Sequence, residues 1–429
     1  MSPLIPDAVS RGGNDPIFSL HAEAVRRARN GESVVNATLG ALLRDDGRLA
    51  VMPSVLEAFD RVPGELAAAY APIAGDPAFL EAVVEDVFGG SGLSEHAVAV
   101  ATPGGTGAIQ QAVMNFLEPG QSALTSSFFW GSYSVITGHA GRSVDTFEMF
   151  GEDGGLDLDA FERGLDEQLA RQARALVLFN FPCHNPTGYS LDVREWSAVA
   201  DIVARAGARG SVTFLLDHAY ARFGNEASEQ WIEHVPRMLE TATVLVAWTV
   251  SKSLAQYGAR VGGLVALHAD PDERRALRGA MSYSCRATWS NCNHRGILAV
   301  TDVLTDPDLR ECATAERGVL IRLLGERVGA FNDAAGQAGL RTPRYEGGFF
   351  VSVFTPDGER TAAVMRDAGV FVLPMQGAVR VALCATPVSV IQRVVEALVD
   401  GVAAAEPAPG ESGGRTESRL VGQPDEGAA

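Results

Sequence analysis

The sequence predicts an α/β fold with a mostly parallel sheet, joined to a smaller α+β unit, and two observations carry that expectation. Short runs rich in β-branched and aliphatic residues, bounded by turn residues, recur along the middle of the chain: ALVLFNF at 175–181, VTFLLD at 212–217, TVLVAWTV at 243–250 and VGGLVAL at 261–267. Helical patterns separate most of them, an alternation that builds parallel sheets. LDVREWSAVADIVARAG at 191–207 places Val193, Trp196, Val199, Ala200 and Val203 on one face, so the strand before it, this helix and the strand at 212–217 form a βαβ unit. Toward the C-terminus, FFVSVF at 349–354 and AVRVALCA at 378–385 flank a helical TAAVMRDAG and precede VSVIQRVVEALVDGVAAA, which reads as the smaller unit.

With 429 residues, 46% hydrophobic and 21% charged, the chain can bury a large core, and its length predicts two domains. A formal net charge of -18 argues against nucleic acid or an anionic membrane as main partner, because phosphates bind clustered Lys and Arg. The five cysteines, at 183, 285, 292, 312 and 384, form no CxxC pair and no metal-ligand spacing. A reducing cytoplasm is the expected setting. The N-terminus lacks a signal-peptide layout, and no apolar stretch reaches the ~18 residues a membrane span needs. From about 405 the chain is rich in Gly, Pro, Glu and Ser with little to bury, and is expected to be disordered to residue 429.

Ligands of α/β sheets sit at the carboxyl ends of the strands, and several such ends here carry unusual polar groups. After the strand AVAVAT at 97–102 comes PGGTGAIQQAVMNF, a Gly-rich turn opening a helix that could cradle a phosphate, although a plain tight turn accounts for it equally. The turn is neither GxGxxG nor GxxxxGK[ST], so no dinucleotide or NTP is indicated. Asp217 ends one strand, and Lys252 stands just past another, where a charged amine is costly unless neutralised. Arg260 follows eight positions later and could grip a phosphate with its planar fork. A helix cap and a surface arginine are the plain alternatives. Together, a phosphate cradle, a carboxylate, a lysine and an arginine supply what pyridoxal phosphate requires: phosphate anchorage, a partner for the pyridine nitrogen and an amine for a Schiff base.

The motifs TPGGTGA at 102–108, CHNPTG at 183–188, DHAY at 217–220 and SKSLAQYGARVGGL at 251–264 resemble those of the class I aminotransferases, fold type I pyridoxal-phosphate enzymes, and specifically their aspartate and aromatic branch. The resemblance implies a mostly parallel seven-stranded sheet. By it, Lys252 holds the cofactor and later moves the substrate proton, Asp217 keeps the pyridine nitrogen protonated, and Asn185 and Tyr220 bind the phenolic oxygen. Gly105, Thr106, Thr249 and Arg260 hold the phosphate, and Trp130 stacks on the ring. Tyr70, in YAPIAGDPAF, corresponds to a tyrosine that reaches the partner subunit's cofactor phosphate, which implies a homodimer with composite sites; a core tyrosine at a helix end is the alternative. Arg380 binds the α-carboxylate, with Gly40 and Leu39 of the NATLGALL block close by and Asn185 and Trp130 also facing the substrate. Arg286, three residues before an aromatic-Ser-Asn triplet, reads a distal carboxylate from the partner, or else is a plain surface arginine. Two positions depart from the family pattern: Asn180 and Tyr133 stand where it has histidines near the aspartate.

The resemblance further implies a large cofactor-binding domain over 47–312 and a small domain made of 1–46 and 313–404. The function expected is transamination between a dicarboxylic or aromatic amino acid and a 2-oxo acid such as 2-oxoglutarate. The same cofactor site could instead eliminate or decarboxylate. A regulatory module without catalysis is the third reading, disfavoured by the lack of a helix-turn-helix.

Overall fold

The computed structural model describes residues 2–11 and 16–406; of the tail expected over 405–429, residues 407–429 lie outside the described residues. Seven strands form the central sheet: β1 (Ala97–Thr102), β2 (Ser122–Ser126), β3 (Ser143–Phe147), β4 (Arg174–Phe179), β5 (Ser211–Asp217), β6 (Thr243–Thr249) and β7 (Gly262–Leu267). Their spatial order is β1-β7-β6-β5-β4-β2-β3. Every neighbouring pair is parallel except those made by β7, which runs against both β1 and β6. The antiparallel strand matters for the site: it begins where the others end, so the residues just before Gly262 arrive at the same sheet edge as those just after β1, β4, β5 and β6.

Both faces of the sheet are covered at its centre, which is why β4, β5, β6 and β7 read as nearly continuous apolar runs, whereas the edge strand β3 is largely unburied. Alternate residues go to opposite layers. Val98, Val100, Leu176, Leu178, Leu215 and Leu245 pack with Ile109 and Val113 of the Gly104–Phe116 helix, whereas Val177, Phe179, Phe214, Leu216 and Val246 join the layer that contains Trp196, Val199 and Val203. The helix carrying that last trio, Val193–Gly207, opens with a capping box in which Asp192 accepts from the Glu195 N–H and Glu195 accepts from the Asp192 N–H. Val193, expected on the buried face, is 46% exposed because it occupies the first helical position beside this cap. Glu195 takes the interior place, held by the hydroxyl of Tyr189 (2.5 Å) and the guanidinium of Arg344 (3.0 Å).

The smaller unit pairs Val35–Asn36 in parallel with Val370–Phe371, and stacks Leu373–Met375, Ala378–Ala382 and Phe350–Phe354 as an antiparallel sheet. Helices Gly358–Asp367 and Val388–Ala405 pack together in this unit. The strand expected over 378–385 stops at Ala382 and turns through a short 3-10 helix, Leu383–Ala385. Beyond Ala382 the Leu383 carbonyl turns to the Thr386 N–H and Arg327 Nη1, and the Cys384 carbonyl to the Leu43 N–H and Arg327 Nη1, so neither carbonyl faces a ladder partner.

Arg327, fully buried on the Pro307–Gln337 helix, also donates to the Leu43 carbonyl (2.8 Å) and to Asp45 (2.7 Å), tying the N-terminal segment to the smaller unit. Asp45 is largely exposed, so the carbonyl bonds dominate. Replacing Arg327 by Met takes the donor from the half-buried Leu43 carbonyl and the second donor from the Leu383 and Cys384 carbonyls, which keep the Thr386 and Leu43 N–H groups, and we expect a loss of about 1–3 kcal/mol of stability. Denaturant unfolding checks this as a lower midpoint with an unchanged slope.

Candidate active site

Strand ends build the site. β6 ends at Thr249, whose hydroxyl accepts from the Ser251 N–H (3.2 Å) and caps a single helical turn, Val250–Ser253, that carries Lys252. β5 ends on Asp217, with Tyr220 in the turn beyond, and β4 leads into Asn180 and Asn185. β1 leads through Pro103 into the helix whose first turn contains Gly105 and Thr106. From the antiparallel β7 comes Arg260, donating to the Pro103 carbonyl (3.0 Å), the Tyr257 carbonyl (3.2 Å) and Ser251 Oγ (3.4 Å). Gly104 sits at φ +73°, a left-handed conformation that strains any residue with a Cβ, and a Cβ there would also press on Arg260 Nη2 at 2.5 Å.

These residues line one cavity of about 220 Å³, with walls that include Gly105, Thr106, Trp130, Asn180, Asn185, Asp217, Tyr220, Thr249, Ser251, Lys252 and Arg260. Grooves of about 650 and 690 Å³ lie elsewhere among the described residues, but neither brings together an amine, a buried carboxylate and a helix N-terminus. Lys252 is also the single lysine among the chain's 35 Lys and Arg residues. Arginine cannot give up its proton and so cannot act as an amine nucleophile; side-chain amine chemistry in this chain has one address.

Burial lowers the Lys252 pKa, opposed by the charge of Asp217 and reinforced by that of Arg260. Burial raises the Asp217 pKa, opposed by a hydrogen bond from Tyr133 and by Lys252. Asp217 and Lys252 sense each other's charge yet share no hydrogen bond, so each still has bonding capacity facing the cavity. That pair, with the helix N-terminus and Arg260 at the same edge, fits pyridoxal phosphate: a cationic ring nitrogen offsets the buried carboxylate, an aldehyde takes the amine, and a phosphate meets N–H groups and a guanidinium.

Arg380 is buried beside this cavity, 4% exposed, on the Ala378–Ala382 strand. Its Nη1 donates to Asn185 Oδ1 (3.2 Å), its Nη2 to the Thr38 carbonyl (2.8 Å), and its guanidinium lies 4.1 Å over the Phe350 ring. Gly40 rests against the same ring, where a Cβ would lie 2.5 Å from Phe350 Cζ, and the Leu39 carbonyl accepts from Cys384 Sγ (3.4 Å). Asn185 Nδ2 and the Tyr220 hydroxyl stand 3.4 Å apart and converge on the cavity.

Two expected residues stand apart from the cavity. Tyr70 is 88% exposed, which overturns the reading of a core tyrosine, and Arg286 sits on the surface with its Nη1 donating to Ser290 Oγ (2.6 Å). Behind Asp217, Asn180 does not touch the carboxylate; its Nδ2 donates to the Asp217 main-chain carbonyl (2.9 Å) and its Oδ1 accepts from the Asn185 N–H (2.8 Å). Tyr133 does touch it, at 2.8 Å. Sequence reasoning missed Ser251, Thr38 and Tyr257, whose hydroxyl accepts from the Leu42 N–H (2.9 Å). Ser251 could have been found inside SKS; Thr38 acts through its backbone carbonyl, which no side-chain pattern announces.

Residues 32–398 match the family model for aminotransferase class I and II. The aromatic-amino-acid aminotransferase of Paracoccus denitrificans is 31% identical over 330 residues, 75% of this chain and 82% of that protein. An aspartate aminotransferase of Pseudomonas aeruginosa is 28% identical over 323 residues, 72% of this chain and 78% of that protein. Among solved structures, an aminotransferase from Anaerococcus prevotii superposes with a TM-score of 0.86 at 28% identity, covering 94% of this chain and all (100%) of that one.

His184, in the turn that carries Asn185, is buried, with Nδ1 2.8 Å from Thr187 Oγ1 and its ring stacked on Phe181. Burial pushes its imidazole down to about 3. The unfolded chain therefore binds one proton more than the folded chain between about pH 6.5 and that value, and stability falls on acidification across this window. Replacing His184 by Gln is expected to flatten that part of the stability profile by up to about 1.4 kcal/mol per pH unit, measured by unfolding at pH 6.5, 5.5 and 4.5.

Proposed function

The chain belongs to the class I and II aminotransferases, pyridoxal-phosphate enzymes, and from that premise we propose that it exchanges the amino group of a dicarboxylic or aromatic amino acid with a 2-oxo acid such as 2-oxoglutarate, using the cavity at Lys252. The observation that carries the assignment of the site is the convergence of the single lysine, the buried Asp217, the Asn185–Tyr220 pair and Arg260 on one cavity. The names of the relatives, aromatic-amino-acid and aspartate aminotransferase, support the substrate range.

When bound, pyridoxal phosphate supplies a protonated ring that draws electrons from the substrate α-carbon. The chain's own residues do the rest. Lys252 would hold the cofactor through its amine and, when free, would take and return the proton of the substrate α-carbon; burial lowers its pKa, which favours the basic amine. Asp217 holds the proton on the ring nitrogen. Asn185 Nδ2 and the Tyr220 hydroxyl donate to the phenolic oxygen. The Gly105 and Thr106 N–H groups, the Thr106 and Ser251 hydroxyls and Arg260 bind the phosphate, with Thr249 fixing the turn beneath. Arg380, held in place by Thr38 and Asn185 over Phe350, orients the substrate α-carboxylate.

Tyr70 and Arg286 fit this scheme through a second copy of the chain, Tyr70 reaching the partner's phosphate and Arg286 reading a distal carboxylate. Their exposure, together with that of Tyr283 (77%) and Val135 (71%), supports a homodimer with composite sites. The division into a large domain over 47–312 and a small one from 1–46 and 313–404 belongs to the same proposal; it is supported by the confinement of the central sheet to 97–267 and of the small sheets to 35–36 and 350–382.

The test is a single half-reaction. The cofactor-loaded protein receives L-aspartate or an aromatic amino acid without a 2-oxo acid, and its absorbance and products are followed. Pyridoxamine phosphate with the matching 2-oxo acid supports transamination; ammonia, pyruvate or carbon dioxide in their place means elimination or decarboxylation. Conversion of aromatic donors but not aspartate keeps the reaction and removes the role of Arg286. Within this reading, Arg380→Lys loses the fork, and we expect kcat/KM for the amino donor to fall about 10- to 100-fold, mostly through KM, with cofactor absorbance unchanged.

A further inference from the structure

Asp217 is faced by four titratable groups: Tyr133, His218, Tyr220 and Lys252. Of these only Tyr133 bonds its carboxylate through a side chain, donating its hydroxyl hydrogen to Oδ2 at 2.8 Å; the Ala219 N–H is the second donor. Tyr133 is held rigidly. It is 1% exposed, its ring stacks on Phe129 at 6.3 Å and 8°, and Trp130 meets it edge-on at 5.7 Å. Its main-chain N–H and carbonyl are fixed by Trp130 and Thr137.

We propose that Tyr133 is a positioning residue that keeps the proton on the cofactor's ring nitrogen and off Asp217, by giving the carboxylate a hydrogen bond that carries no charge. The inference rests on the cofactor assignment above. A carboxylate and a ring nitrogen in contact compete for one proton, and whatever stabilises the carboxylate anion leaves the proton on the ring. Desolvation at Asp217 works the other way, raising its basicity. The Tyr133 bond opposes that desolvation. Burial and the adjacent Asp217 hold the phenol's own pKa well above its usual value, so the donor stays neutral throughout the working range and cannot surrender its proton to the pair. A cationic donor in this place would stabilise the anion too, but it would also repel a proton on the ring; a phenol does the first without the second.

Tyr133→Phe removes one oxygen from a packed ring. In this variant Asp217 is more basic, the ring proton is held less firmly, and kcat for the amino-donor half-reaction falls on the order of 10-fold or more, while KM moves far less. A structural role could also lower activity, so the comparison is repeated with protein loaded with a cofactor analogue that has carbon in place of the ring nitrogen. There the proposal requires wild type and Tyr133→Phe to react at equal rates. A second readout needs no turnover: release of pyridoxal phosphate, followed by its fluorescence after dilution, is faster from the variant, and release of the carbon analogue is not. An equal loss on both cofactors would overturn the proposal, as would a variant indistinguishable from wild type on pyridoxal phosphate. Wild-type protein that takes up no pyridoxal phosphate would overturn the cofactor assignment itself, and this inference with it.

Discussion

Burying a carboxylate and an amine at the edge of an apolar sheet is the constraint on which the rest of this structure depends. Asp217 is 4% exposed at the end of β5, and Lys252 rises from the single turn beyond β6, the neighbouring strand. Each is held away from water by a layer that exists for other reasons: Leu216 and Val246 in one face of the sheet, Leu215 and Leu245 in the other. Such groups are tolerated when a partner offsets the desolvation. Here the partners are few. Tyr133 and the Ala219 N–H serve Asp217, and the two charges attract across the cavity without a bond. The arrangement leaves room for a molecule that is cationic at one end and electrophilic at the other.

Much of this was legible in the sequence because it is written in side chains at strand ends. Four of the seven strands were readable as apolar runs bounded by turns, β1 came with its Gly-rich turn, and Lys252, Asp217, Asn185 and Arg260 sit where that pattern and the family motifs put them. β2 and β3 were not among the strands read: SALTS and SVDTF are too polar and too short to stand out, and they are strands because β4 offers a parallel edge to extend. The reversed direction of β7 was not legible either. Its VGGLVAL resembles any buried strand, and only the short path from Lys252 to Gly262 forces it to return along the sheet.

The finer parts of the site follow the same division. Arg380 was legible as the arginine of its strand, but its anchors are a backbone carbonyl at Thr38 and an aromatic face at Phe350, from segments more than 300 and exactly 30 positions away in sequence and therefore set by tertiary packing. Around Asp217, the two departures from the family pattern were both visible, yet their unequal roles were not: Asn180 braces the backbone and Tyr133 the carboxylate. Lys252 offered a signal that motif reading passed over, since a chain with one lysine and otherwise only arginine shows by simple counting where its side-chain amine chemistry must lie.

The most direct test of the account is covalent. The protein is loaded with pyridoxal phosphate, reduced with borohydride to make any imine permanent, digested and analysed by mass spectrometry, alongside a Lys252→Ala variant. The account predicts one pyridoxyl group per chain, on the peptide containing Lys252, and none on the variant. A pyridoxyl group at the N-terminal amine, an unmodified Lys252 peptide, or equal labelling of the variant would contradict it.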